Sequence, residues 1–224
     1  TLFRSQVQDF NLGRQNRRIA LSILATLLNL GLIRLVLELG ESDLFSQRAD
    51  LLTTLPFIAP TALAPIVVTL LIGPGYGVLT SLTLGLLFAL MQGGDFAMLF
   101  ITLFSGLVAT GYSREVRRRS VVVKAGTMAG MVVALCAAFL GLLNELALDV
   151  IARQIGFALL TGFVTGIIAV GILPILENLF KLTTQITLLE LTDYNHPLLR
   201  RMQVEAPGSY HHSLMVATLA ENAA

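Results

Sequence analysis

The chain is short of charge: Lys, Arg, Asp and Glu make up 13% of its 224 residues. A soluble domain carries roughly 25% charged residues, so about half of an ordinary aqueous surface is missing. A single cysteine, Cys136, excludes a disulfide framework and any cysteine-based zinc cluster. There is no collagen period, low-complexity tract or block of one charge sign, which excludes fibrous and disordered classes. Fifteen Lys+Arg against fourteen Asp+Glu leave a net charge of +1, too little for a general nucleic-acid footprint. What the chain has is apolar bulk: 55% hydrophobic residues and a mean hydropathy of +0.79. The class is an integral membrane protein.

Reading from charge to charge locates the spans. Arg18 to Arg34 encloses fifteen uncharged residues, and Asp50 to Asp95 encloses forty-four. The intervals Asp95–Arg114, Lys124–Glu145 and Arg153–Glu177 enclose eighteen, twenty and twenty-three. A helix needs about 20 apolar residues to cross a hydrocarbon core of about 30 Å. The longest interval therefore holds two spans, with Gly73-Pro74-Gly75-Tyr76-Gly77 as the turn between them. Six helices are expected, near 18–39, 56–73, 76–92, 95–113, 122–144 and 154–175. The fold class is all-α, a polytopic membrane helix bundle, because spans this long and continuous do not suit barrel strands.

Basic residues set the orientation. With residues 1–17 inside, the inner segments hold twelve Lys and Arg against Arg48 and Arg153 outside. Six spans return the chain to the side on which it began, so both ends are expected in the cytoplasm.

Few residues inside the bundle carry chemistry. Arg34 and Glu38 are four apart and form a candidate intramembrane ion pair, either a ligand contact or an interfacial pair with Arg34 snorkelling outward. Gly126-x-x-x-Gly130 and Gly162-x-x-x-Gly166 put small residues on one face of the last two spans, for packing inside the bundle or for a dimer contact. Pro56, Pro60, Pro65 and Pro174 are kinks or hinges. Arg114, Arg117, Arg118 and Arg119 form a cytoplasmic basic loop, a topology anchor or a site for lipid or nucleotide phosphate. Spans two to six have no ionisable residue other than Cys136 at mid-membrane, which weakens an ion-coupled transporter reading.

After Pro174 the composition changes. Residues 177–204 read as a connector, with a break at His196-Pro197 and a short amphipathic segment from Leu198 to Val204. Ala206-Pro207-Gly208 reads as a turn, and Ser209 as the cap of a helix running to Ala224. The uncapped Ala-Ala end and a first residue that is not Met suggest a fragment. His211 and His212 are adjacent, about 100° apart on a helix, so one ion would normally take only one of them; capping or packing is the other role their spacing allows.

The run Leu188-Leu189-Glu190-Leu191-Thr192-Asp193-Tyr194-Asn195-His196-Pro197-Leu198-Leu199-Arg200-Arg201, then Glu205-Ala206-Pro207-Gly208-Ser209-Tyr210-His211-His212-Ser213, carries a resemblance. It resembles the membrane-to-catalytic junction of bacterial seven-transmembrane receptors with an intracellular HD hydrolase domain. Leu173-Pro174-Ile175-Leu176-Glu177 and Leu182-Thr183-Thr184 are similar to the end of that family's last helix. The resemblance implies a metal-dependent phosphodiesterase of cyclic di-AMP, with a divalent metal pair of iron or manganese. It implies that His212, rather than His211, is the first metal ligand. It also implies missing partners: the rest of the HD domain and an extracellular domain of the same protein. Residues 205–224 would be the start of the truncated HD domain, and the piece alone would be catalytically inert. Three readings follow: a transducer coupling an outside signal to the hydrolase, a passive anchor, or a small-molecule transporter. The lipid bilayer is the expected partner, with a homodimer as a further one and no nucleic acid.

Overall fold

The computed structural model describes residues 2–41, 53–114, 116, 118–180, 182 and 197–223, with the side chains of 2–15, 39–41 and 197 left aside. It contains helices and turns, with no strand among the described residues. Two compact units divide the chain after Thr184.

In the first unit α1 is Leu2–Glu41, α2 Leu55–Ile58, α3 Leu63–Leu71, α4 Pro74–Met91, α5 Phe96–Tyr112, α6 Arg119–Leu143 and α7 Leu148–Phe180. Among the described residues four helices are long and apolar enough to cross a membrane: α1 through Asn16–Glu38, α4, α6 and α7. The other two expected spans are shorter apolar segments, Leu55–Leu71 and Phe96–Tyr112. The fold is an all-α polytopic bundle.

Elements depart from expectation where local chemistry says they should. The second expected span is not one helix: it stops at Ile58 and resumes at Leu63. Pro60 supplies no N–H, and proline disfavours the helical region for the residue before it; Ala59 is extended, with φ −65° and ψ 130°. The expected turn through Gly77 shrinks to Gly73, whose φ of 141° suits glycine, because Pro74 fits the first helical turn of α4. Gly93 and Gly94, with φ of 76° and 89°, make the turn into α5, and the Asp95 carboxylate accepts a 2.8 Å bond from the Ala97 N–H. Pro174 lies inside α7 without ending it.

Consecutive helices pack on one another: α3 on α4, α4 on α5, α5 on α6, and α6 most extensively on α7. The α6–α7 crossing is antiparallel. A Cβ added to Gly126 would lie 2.6 Å from the Gly162 carbonyl oxygen, one on Gly130 2.8 Å from that of Ala158, and one on Gly166 2.8 Å from Val123 Cα. Backbone touches backbone along this seam, the close approach that small residues permit where lipid gives helices no hydrophobic reason to associate. Ala129, Val133 and Ala137 on α6 and Ala158 and Ala169 on α7 are buried beside it.

In the second unit α8 is Pro197–Glu205 and α9 Pro207–Ala223. The expected turn at Ala206-Pro207-Gly208 is not present. Pro207 opens α9, where its missing N–H costs nothing, and Ala206 N–H bonds Met202 O at 2.9 Å. Ser209 therefore lies inside the helix, its carbonyl accepting from Ser213 Oγ at 2.9 Å.

Gly162→Val should lower the thermal midpoint, since overpacking costs about 1–3 kcal/mol. Gly156→Ala on the same helix, where an added Cβ meets nothing within 4 Å, should be neutral or stabilising by up to about 1 kcal/mol. Circular-dichroism melts in detergent check both; equal losses would deny the seam its role.

Candidate functional site

The interruption between α2 and α3 organises the polar interior. Non-helical backbone at membrane depth is tolerated only inside protein or beside a cavity. Ala59, Thr61 and Ala62 are accordingly buried. A cavity of about 10 Å³ adjoins the break, lined also by Ser105 on α5, Gly130 on α6 and Thr165 on α7. That is the size of a single water site.

Around it runs a seam of hydroxyls and small residues. Thr61 Oγ1 and Ser105 Oγ are 3.1 Å apart and buried. Thr69 Oγ1 donates to Pro65 O at 2.6 Å, and Thr110 lies on its other side at 3.4 Å. Ser81 Oγ, fully buried, donates to Gly77 O at 2.8 Å. A Cβ at Gly106 would meet Ser81 Cβ at 2.6 Å, so α4 and α5 also touch closely. At the margin of the bundle Gln154 Nε2 donates to Thr53 O at 3.2 Å, tying the start of α7 to the approach to α2.

A second space is larger and of opposite character. A groove of about 480 Å³ opens between α1, the start of α3 and the C-terminal part of α7, walled by leucines and by Asn29.

The residues singled out from sequence are not brought together into one centre. Arg34 Nε donates to Glu38 Oε1 at 2.8 Å, an exposed pair at the end of the α1 span. Such a pair neutralises both charges at the bilayer margin. Gly126, Gly130, Gly162 and Gly166 lie buried in the α6–α7 seam. Arg114, Arg118 and Arg119 are exposed around the α5–α6 turn, with Val116 buried beneath; Arg117 lies outside the described residues. Residues 181 and 183–196 of the 177–204 connector lie outside them too. His211 and His212 stand exposed on α9, the His211 ring meeting Tyr210 edge-on at 6.0 Å between centroids.

Among the described residues no group of three or more His, Cys, Asp or Glu is placed to hold a metal ion. One imidazole cannot retain a metal pair, which needs several protein ligands. The described residues therefore do not fit such a centre, and no chemistry follows through one here.

Two features escaped the reading of charges and glycine pairs. Thr102, Ser105, Gly106, Ala109 and Thr110 on α5 and its C-cap Ser113 repeat at helical spacing and are all buried. Ser22, Thr26 and Asn29 share a face of α1; the Asn29 carboxamide is buried and has no hydrogen-bond partner among the described residues. Spacing of small and polar residues at i, i+3, i+4 and i+7 was the signal.

A family model described as "7TM receptor with intracellular HD hydrolase" matches residues 3–184. The chain belongs to this family. Cyclic-di-AMP phosphodiesterase PgpH of Listeria monocytogenes serotype 1/2a (strain 10403S) is 35% identical over 175 residues, 76% of this chain and 24% of that protein. PgpH of Bacillus subtilis (strain 168) is 30% identical over 227 residues, 96% of this chain and 30% of that protein. A Synechocystis protein, slr0104, is 48% identical over 65 residues, 29% of this chain and 8% of its own length. The chain thus spans about a quarter to a third of the PgpH relatives it matches. No solved structure matches it. The family match covers the whole bundle, in keeping with a multi-pass membrane protein.

Thr61→Val and Ser105→Ala in a double-mutant cycle should show a coupling of about 0.6 kcal/mol, the usual worth of an interhelical hydrogen bond in a membrane protein. Unfolding of the chain in mixed micelles measures it; strict additivity would mean the two hydroxyls act separately.

Proposed function

We propose that the chain is the transducing membrane unit of a receptor-type HD phosphohydrolase, coupling an extracellular signal to metal-dependent hydrolysis of cyclic di-AMP. The observation that carries this reading is the family match through residue 184, joined to both PgpH relatives being cyclic-di-AMP phosphodiesterases. The bundle supports it physically. Helix α7 has 33 residues, about 50 Å at 1.5 Å per residue, against a hydrocarbon core of about 30 Å. One continuous rod therefore runs from the glycine seam past Pro174 toward the connector. A shift in the packing of α6 on α7 would reach that connector as a rotation or translation of a single helix.

In this reading the protein lies in the bacterial inner membrane. Both ends of the chain are in the cytoplasm, held there by Arg17, Arg18, Arg114, Arg118 and Arg119. His212 supplies the first ligand of a divalent metal pair, iron or manganese, and the other ligands come from the rest of the HD domain. His211, which points elsewhere on the helix, is the alternative ligand. The stretch 1–224 alone does not hydrolyse the substrate. Bundle, connector and hydrolase work as one polypeptide, with an extracellular domain of the same protein as the source of the signal.

Two measurements on the intact protein test this. His212→Ala should reduce Mn(II)-dependent cyclic di-AMP hydrolysis by about 10²-fold or more, since a metal site contributes several kcal/mol to the transition state; His211→Ala should retain most of it. Equal losses, or none, would remove His212 from its assigned role. Inserting two residues between Glu177 and Asn178 turns the helix register by about 200°. A transducer should then change hydrolysis rate several-fold, whereas a passive anchor would leave it unchanged.

A further inference from the structure

The apolar groove beside α1 has features that neither helix packing nor the hydrolase reading uses. Its volume of about 480 Å³ falls within the roughly 300–1,000 Å³ of small-molecule sites. Leu24, Leu28 and Leu32 of α1, Val67 of α3 and Ile172 of α7 form its walls, and no charged residue does. Asn29, which also lines it, lies near the middle of the Asn16–Glu38 span. The residue is 1% exposed. Its carboxamide nitrogen and oxygen are both buried without a partner among the described residues. A buried amide left unpaired in an apolar medium is costly and ordinarily finds a partner. The terminal torsion of an asparagine is soft, so rotation of the carboxamide would present either its donor or its acceptor to a ligand seated against this wall.

We propose that this groove is an intramembrane binding site for an uncharged long-chain amphiphile. Its head group, an alcohol or amide, both donates and accepts a hydrogen bond and pairs with Asn29. Each part of the ligand follows from a feature of the site. The apolar walls require a hydrocarbon tail. The lack of any charged wall residue excludes an ionic head group, which would be expensive at this depth. The orphan carboxamide offers both a donor and an acceptor. A further transmembrane helix laid along the groove would exclude a lipid-sized probe, so photolabelling distinguishes that occupant from the amphiphile. Gly31 lines the same wall, and a Cβ there meets nothing within 4 Å. The groove can thus be filled from within without disturbing the protein around it.

The test uses the intact protein in nanodiscs and a diazirine derivative of oleyl alcohol as photoprobe, so it reads binding and is independent of any hydrolase activity. Labelled peptides from α1 and α7 should appear, and excess oleyl alcohol should suppress them at least ten times more effectively than octadec-9-ene. Gly31→Leu should abolish labelling by occupying the space. Asn29→Leu should reduce it about tenfold while raising the thermal midpoint of the unliganded protein, because it removes an unpaired amide; a misfolded variant would lower that midpoint. Equal competition by the hydrocarbon would mean that bulk acyl chains fill the groove. Labelling that survives both substitutions, or an α1–α1 crosslink between copies that excludes the probe, would equally overturn the proposal.

Discussion

Every feature of the first unit answers to one constraint: in hydrocarbon there is no water to satisfy backbone groups and no hydrophobic gain in bringing apolar helices together. Helices must therefore meet by contact at backbone distance or by hydrogen bonds. The α6–α7 crossing takes the first course, with Gly126, Gly130, Gly162 and Gly166 bringing the two backbones into contact. Toward α5 the interrupted helix takes the second, through Thr61–Ser105 at 3.1 Å and Thr69–Thr110 at 3.4 Å, while the Ser81 hydroxyl bonds within α4. A bundle built this way tolerates a broken helix, because the interruption at Ala59–Ala62 lies among those hydroxyls rather than in lipid.

The two courses differ in mechanical character. A glycine seam is stiff in one sense: any separation loses many small contacts at once, and any side chain added there collides with main chain. A hydroxyl cluster is softer, because Ser and Thr hydrogens rotate and exchange partners over a fraction of an ångström. The bundle thus combines a tightly paired α6–α7 unit with an adjustable α2–α5 portion. Under the proposed transducer reading this division is apt. The rigid pair ends in the long α7, and the adjustable part contains the interrupted helix.

Much of the bundle was legible in the sequence, since the charge-free intervals are a direct image of the hydrocarbon thickness. The ends of α4, α5 and α6 fall within three residues of the boundaries read from charge spacing. Failures came where a single residue has two lawful uses. Proline at 60 breaks its helix, proline at 174 does not, and proline at 207 begins one; sequence alone shows the residue, not which carbonyls lie within reach of it. The long α7 was read too short because charge at Asp149, Arg153 and Glu177 marks the limits of the membrane, not the limits of the helix. The Arg34–Glu38 pair was plain from its spacing. Asn29 was not, because an uncharged amide leaves no gap in a charge map and its isolation emerges only once its neighbours are known.

The position of Asn29 also bears on how such a bundle could sense anything. Spans two to six hold no ionisable residue at mid-membrane other than Cys136, so the usual means of reading an ion or a proton within the bilayer is absent. Unpaired polarity is the remaining one. A buried amide without a partner raises the energy of the state that contains it, and whatever supplies the missing bonds stabilises the state in which they form. Differential affinity of that kind is the only means by which a ligand shifts a conformational equilibrium. Because α1 packs on α2, α3 and α4, and Ile172 and Leu176 of α7 also wall the groove, a seated ligand would bear on the interrupted helix and on the long α7 at once.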